Sequence, residues 1–309
     1  TDGLPPRETL SSSVLGYAFN GDPHIELPVR MASPDEVKSL SQPFSSCTTP
    51  IIFQSLWMHN LNEWISRGPV AFHKLQGLER RNGTRQKTVL PRNLSIVLHS
   101  PLKIPVPKWN YEALKPFSDY TPSSLADFSS RLPSTTPSAS TAEGTHTRCF
   151  RRLLVWRYVR EDRPYTAREI GRTMLKYHAS TLDALDGTEK TFWKGGADNP
   201  SVMRVLIEKR IAYTKTGTRQ FLELDTLLAA CNAAGSNWRH AAHSNGKESG
   251  DDGAAASSSS RWTTVECVAH AFGKHPKGIL HDMWVMRHVD VFVTFLGAGE
   301  MNAIFMPLH

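Results

Sequence analysis

The sequence predicts an α/β fold built on parallel sheets, and three features point to it. Short apolar runs of strand length recur along the chain, segments with helical apolar spacing stand between them, and 309 residues leave room for one large domain or two of ordinary size. Strands alternating with helices imply right-handed βαβ units, whose strands run parallel.

In chain order, Asn60 is a good N-cap with Glu63 three residues later, and Leu61, Trp64 and Ile65 begin an apolar face. Pro69 ends or kinks that helix. Residues 94–98 and 153–159 are β-prone runs short enough to be buried strands. Beyond Pro164, the run Thr166-Ala-Arg-Glu169 has capping-box spacing, Ile170, Met174 and Tyr177 follow at helical spacing, and Gly187 is a stop. Residues 202–207 then predict a strand. Leu224, Leu227, Leu228 and Cys231 predict one face of a helix that Gly235 terminates. Strands are expected at 265–268 and 291–295, with a helix over 281–289 between them.

Two polar segments, 129–147 and 242–260, carry too few apolar residues to offset the entropy of ordering. The first is expected as a flexible linker or loop at the end of an N-terminal domain, 1–163. The second is expected as a low-complexity insertion inside a C-terminal domain, 164–309.

A formal charge of +7 favours an anionic partner. The basic residues are dispersed: Arg80, Arg81, Arg85 and Lys87 form one cluster, Arg151, Arg152, Arg157 and Arg160 another. With no nucleic-acid module recognisable, no nucleic-acid partner is expected. Cys47, Cys149, Cys231 and Cys267 lie far apart and lack zinc spacing, so no metal is expected, and up to two disulfides are open. His240 and His243 border the second polar segment and read as solvated rather than as a metal pair. Asn82-Gly83-Thr84 and Asn93-Leu94-Ser95 are glycosylation sequons that favour a lumenal setting. No stretch approaches the roughly twenty apolar residues of a membrane span, so a membrane anchor is expected only outside this chain. Thr1 is not a start residue and an apolar segment stands just before His309, so the chain reads as a fragment.

The most informative passage is Asp290-Val-Phe-Val-Thr-Phe-Leu-Gly297-Ala298-Gly299-Glu-Met-Asn302-Ala303-Ile-Phe305-Met-Pro307. An apolar strand runs into a Gly-Ala-Gly turn and then a helix-like segment, where glycines permit close backbone approach and free amides attract a diphosphate. Asn302 stands at the third glycine position of a dinucleotide fingerprint, which makes that motif a poorer fit. No Asp-x-Asp motif suited to a metal-diphosphate complex is present; Asp251-Asp252 lies in the low-complexity segment.

This passage resembles the signature of glycosyltransferase family 61, in which an Asp-initiated strand leads to His-Gly-Ala-Gly, then Asn-Ala, an apolar pair and Pro. The matches are Asp290, Val291, Val293, Gly297, Ala298, Gly299, Asn302, Ala303, Phe305 and Pro307. Upstream, Cys149-Phe150, the strand ending at Arg210, then Arg219 and Glu223 stand in the family's order, and residues 57–75 resemble its early helix. The likeness runs from about Ile51 to the end. Leu296 replaces the motif histidine, Leu222 an asparagine, and Glu63 and Arg67 the usual His and Asp.

The resemblance implies an α/β protein with two Rossmann-like domains facing a cleft, the GT-B arrangement, with the second domain truncated at its C-terminus. It implies transfer from a nucleotide-sugar donor, of UDP-xylose, UDP-arabinose or UDP-N-acetylglucosamine type, to a glycan or glycoprotein acceptor in the Golgi or endoplasmic reticulum lumen. Donor contacts fall on Arg210, Arg219, Gly297, Ala298, Gly299 and Asn302, the two arginines neutralising the diphosphate. For an inverting transfer a base must take the acceptor proton, and Glu63 is the choice, with His59 and Asn60 on the acceptor side. No cofactor is expected. The substitutions at 296 and 222 leave one alternative, a catalytically silent member that binds glycan or nucleotide sugar.

Overall fold

The computed structural model describes residues 35, 49–54, 58–77, 80–81, 84–85, 91–100, 105–130, 153–156, 164–210, 221, 223–244, 262–295 and 297–307. The chain divides into two compact units, Thr1–Thr166 and Ala167–His309. It is mixed α/β, with one small parallel sheet in each unit.

The first unit contains β1 (Thr49–Gln54), α1 (Leu61–Arg67), α2 (Pro69–Leu75), β2 (Arg80–Arg81), β3 (Thr84–Arg85), β4 (Leu94–His99), α3 (Lys108–Leu114), β5 (Ser123–Ser124), α4 (Leu125–Ser130) and β6 (Leu154–Trp156). Strands β2 and β3 form a separate antiparallel pair. The others make a parallel sheet in the order β5-β4-β1-β6. The chain therefore starts on an inner strand, steps outward through β4 and β5, and returns to β6 on the other side of β1. Leu94, Ile96, Val97 and Leu98 are all buried, so β4 is covered on both faces, as its mostly apolar run, broken only by Ser95, predicts.

Local chemistry sets the helices beside this sheet. The Asn60 side chain accepts the Glu63 N–H at 3.2 Å and starts α1. Gly68 closes α1, and Pro69 opens α2 at the helical position where its missing N–H costs nothing, so the proline splits the segment into two helices. Phe53, Trp64, Phe72 and Phe117 form the buried aromatic centre, with Phe53 and Trp64 edge to face at 5.2 Å. Buried polar side chains answer loop carbonyls there: Asn110 donates to Met58 O at 3.0 Å, and Ser118 to Leu94 O at 2.7 Å.

The second unit contains α5 (Pro164–Tyr177), α6 (Ala179–Thr188), β7 (Val202–Glu208), α7 (Leu224–Ser244), β8 (Thr264–His270), α8 (Ile279–Met286), β9 (Val291–Val293) and a 3-10 helix (Ala298–Phe305). Its parallel sheet has the order β8-β7-β9, with the first strand again inside. Val205, Ile207 and Cys267 point to one face, where Leu224, Leu228 and Cys231 of α7 pack on them. His270, three residues beyond Cys267 and hence on the opposite face, bonds to Asp282 of α8. Helices therefore cover both faces. A disulfide joins Cys231 of α7 to Cys267 of β8, and the Asn232 amide brackets the same residue, accepting Cys267 N–H at 2.9 Å and donating to Cys267 O at 3.0 Å. Asp290 accepts the Arg204 N–H at 2.8 Å, pinning the start of β9 to β7.

Two expected helix ends differ. Helix α5 begins at Pro164, so Thr166 lies buried in its first turn and does not cap it: proline has its φ preset and no N–H to satisfy. Helix α7 runs through Gly235 to Ser244, since an interior glycine costs only about 1 kcal/mol against alanine. Leu227, expected on the apolar face, is exposed. The polar segments lie outside the described residues except for residues 129–130 and 242–244, which end α4 and α7. No described helix is long and apolar enough to cross a membrane.

Candidate functional site

In the second unit all three strands end on one edge of the sheet. From β7 the chain crosses one face to β8 through α7, and the opposite face to β9 through α8, so the connections diverge between β7 and β9. In parallel α/β sheets such a point of divergence opens a crevice at the carboxyl ends of the strands. Here the segments leaving the two strands carry Glu208 and Arg210 from β7, and Thr294, Phe295 and Gly297 from β9.

Arg210 Nε donates to Glu208 Oε1 at 3.0 Å, and its Nη2 reaches Phe295 O at 3.4 Å. The guanidinium also lies 5.4 Å from the centre of the Phe295 ring, within cation–π range. Gly297 has φ 143°, a conformation that favours glycine, and a Cβ there would stand 3.5 Å from Arg210 Nη2. The two expected donor residues Arg210 and Gly297 are thus neighbours. Gly299 serves a different neighbour: a Cβ on it would overlap the Glu208 carboxylate, so its missing side chain makes room for Glu208. Thr294 donates its hydroxyl to that same carboxylate. Sequence reasoning missed Glu208 and Thr294, since each reads as an ordinary strand-end residue.

The remaining donor residues stand close by in supporting positions. Gly297 N–H donates to Glu300 Oε1 at 3.1 Å, so this amide already has an acceptor in the chain. Ala298 opens the 3-10 helix and is half-buried. Asn302 is buried and its Nδ2 donates to Gly299 O at 3.0 Å, which fixes the turn from within. Arg219, Leu222 and Leu296 lie outside the described residues.

In the first unit His59, Asn60 and Glu63 follow the carboxyl end of β1, the edge where parallel sheets present ligand-binding loops. His59 is exposed, and Asn60 is occupied as the N-cap. Glu63 pairs with Arg67 one turn on, at 2.5 Å, and the arginine side chain is only 1% exposed. Residues 63 and 67, which depart together from the family pattern, therefore form an ion pair.

A second cluster at the carboxyl end of β8 escaped sequence reasoning. Among the described residues, Glu189, His275 and His281 hold ligand-type atoms within 4.8 Å of one another, and so do His270, His281 and Asp282. His275 Nε2 lies 3.7 Å from Glu189 Oε1, and His281 Nε2 lies 3.8 Å from Glu189 Oε2. The His275 and His281 rings stack with centroids 3.8 Å apart. Burial, then the neighbouring His275 and His270, push the His281 imidazole down to about 4, so it is neutral at physiological pH. The available signal was three histidines within twelve residues, at 270, 275 and 281. The carboxylate that completes the group arrives from residue 189, beyond any local spacing rule.

No family model matches this chain, and no curated protein matches it significantly.

Proposed function

We propose that this chain is a glycosyltransferase resembling family 61, with two Rossmann-like domains, that moves a sugar from a UDP-sugar donor to a glycan or glycoprotein acceptor in the Golgi or endoplasmic reticulum lumen. One observation carries the proposal: the Arg210 guanidinium stands beside the positive-φ glycine of the Gly-Ala-Gly turn, at the divergence of β7 and β9. Arg210 Nη1 makes no hydrogen bond among the described residues and can grip a phosphate oxygen, stabilising the diphosphate as it leaves. Strand orders with an inner first strand and a return to its other side support the Rossmann-like architecture. The disulfide supports an oxidising compartment, and Asn93 of the second sequon is exposed.

Glu63 is the proposed base that takes the acceptor proton. Its ion pair with Arg67 holds the carboxylate in a fixed direction, as a positioned base requires. Leu296, in place of the motif histidine, favours a second possibility, a silent member that binds the donor without turnover.

Calorimetric titration with UDP, paired with a donor-turnover assay, tests the proposal. Wild type should bind UDP, and Arg210→Ala should weaken binding by about 1.5–3 kcal/mol, the value of a charge-assisted hydrogen bond. Unchanged affinity removes Arg210 from the donor site, and failure of wild type to bind UDP or any UDP-sugar overturns the assignment. Glu63→Gln should lose turnover while keeping UDP affinity, and full turnover eliminates it as base. Binding without turnover in wild type identifies the silent form.

A further inference from the structure

We propose that Glu189, His275 and His281 form a binding site for a divalent transition-metal ion, Zn2+ by preference, at the carboxyl end of β8. Two imidazoles and one carboxylate are a donor set suited to borderline-soft divalent ions, and three protein ligands with a fourth position left to solvent are a recurrent zinc arrangement.

The geometry is that of ligands converging without bonding one another. The two nitrogen-to-carboxylate distances, 3.7 and 3.8 Å, are too long for hydrogen bonds. Ligands about 2.0–2.1 Å from a tetrahedral zinc lie roughly 3.3–3.5 Å apart, so the two edges to Glu189 need shorten by only a few tenths of an ångström, while the stacked His275 ring must turn to aim its lone pair at the ion. His281 is 3% exposed, and its Nδ1 makes no hydrogen bond among the described residues. Its Nε2 makes no hydrogen bond among the described residues either, with Glu189 Oε2 at 3.8 Å, and coordination there would give this buried ring one bond while leaving Nδ1 as it is.

The flanking groups distinguish this triad from the overlapping one. Asp282 Oδ1 bonds His270 Nε2 at 2.8 Å, and its Oδ2 accepts the Gly273 N–H at 2.8 Å, so this pair is satisfied internally and serves as a wall. Phe192 lies edge to face with His281 at 5.7 Å and Trp284 tilted against it at 5.6 Å, and they bound its inner side. On the outer side Lys277 Nζ lies 3.4 Å from Glu189 Oε1, where it neutralises the carboxylate. Its side chain is 42% exposed and can swing into water when an ion arrives. His275 Nδ1 accepts the Lys277 N–H at 3.2 Å, an exposed bond that gives way when the ring proton moves to Nδ1 and frees Nε2.

The test uses the whole chain, stripped with chelator and without nucleotide, so its result is independent of the donor site. Co2+ is titrated while its visible absorption is followed, and Zn2+ is added in competition. Wild type should take up one Co2+ per chain with a tetrahedral-type band that Zn2+ abolishes. His275→Ala and Glu189→Gln alter partly exposed positions, so both should fold, as thermal melting would verify, and each should weaken binding at least tenfold. Absence of the band together with no rise in melting temperature on adding Zn2+ overturns the site. So does wild-type affinity in either folded variant.

Discussion

His288 shows how one side chain can make the second unit sensitive to acid. It follows α8, where Arg287 Nε donates to His288 Nε2 at 3.1 Å, so that nitrogen must keep its lone pair. Burial first, and then the Arg287 charge, hold the imidazole below its ordinary value. The unfolded imidazole takes up a proton as pH falls through about 6.5, whereas the folded one resists. The unfolded chain then binds more protons, and stability declines as pH drops below that point. Urea unfolding of the chelator-treated chain at pH 7, 6 and 5 should show this decline, and His288→Gln should lessen it, leaving the share due to His281. An unaltered slope in the variant assigns the acid sensitivity elsewhere. At this scale sequence reasoning gave Gly297 the same role as Gly299, close approach to a ligand, and the positive φ at Gly297 emerged only from the structure. That reasoning assigned Gly299 to ligand approach, because the carboxylate that fills its space comes from Glu208, far upstream in the chain.

Helix α5 and the final 3-10 helix meet through a single missing side chain. A Cβ on Gly171 would collide with the backbone carbonyl of Ile304, and backbone cannot swing aside as a flexible side chain would. Gly171→Ala should therefore destabilise the chain by about 1–3 kcal/mol, the usual cost of overpacking, read as a lower urea midpoint with unchanged slope. A midpoint equal to wild type would show that the two elements separate freely. The strands were legible because a strand buried on both faces must be largely apolar, as residues 202–207 are apart from Arg204. Helix termini were less so. Pro164 pre-empted the capping role expected of Thr166, and Gly235 was carried inside a helix whose side chains pack on Val205 and Ile207. Proline's local chemistry decided the first and tertiary packing the second, and packing leaves no mark in local spacing.

For the molecule as a whole, the sheets of the two units repeat one plan, an inner first strand with later strands added on either side. Only the second has a covalent clip among the described residues, closing 36 residues of chain between Cys231 and Cys267. By loop-closure entropy such a link stabilises by about 3–4 kcal/mol. Differential scanning calorimetry should show a lower melting temperature for the Cys231→Ser/Cys267→Ser double variant, and an unchanged one would mean that the bond contributes little. The clip has a further effect, because β8 is the outermost strand of its sheet among those described. Outermost strands invite other molecules to dock and propagate into fibrils. With both main-chain groups of Cys267 already bound by Asn232, an incoming strand meets an occupied midpoint, which discourages self-association along that border.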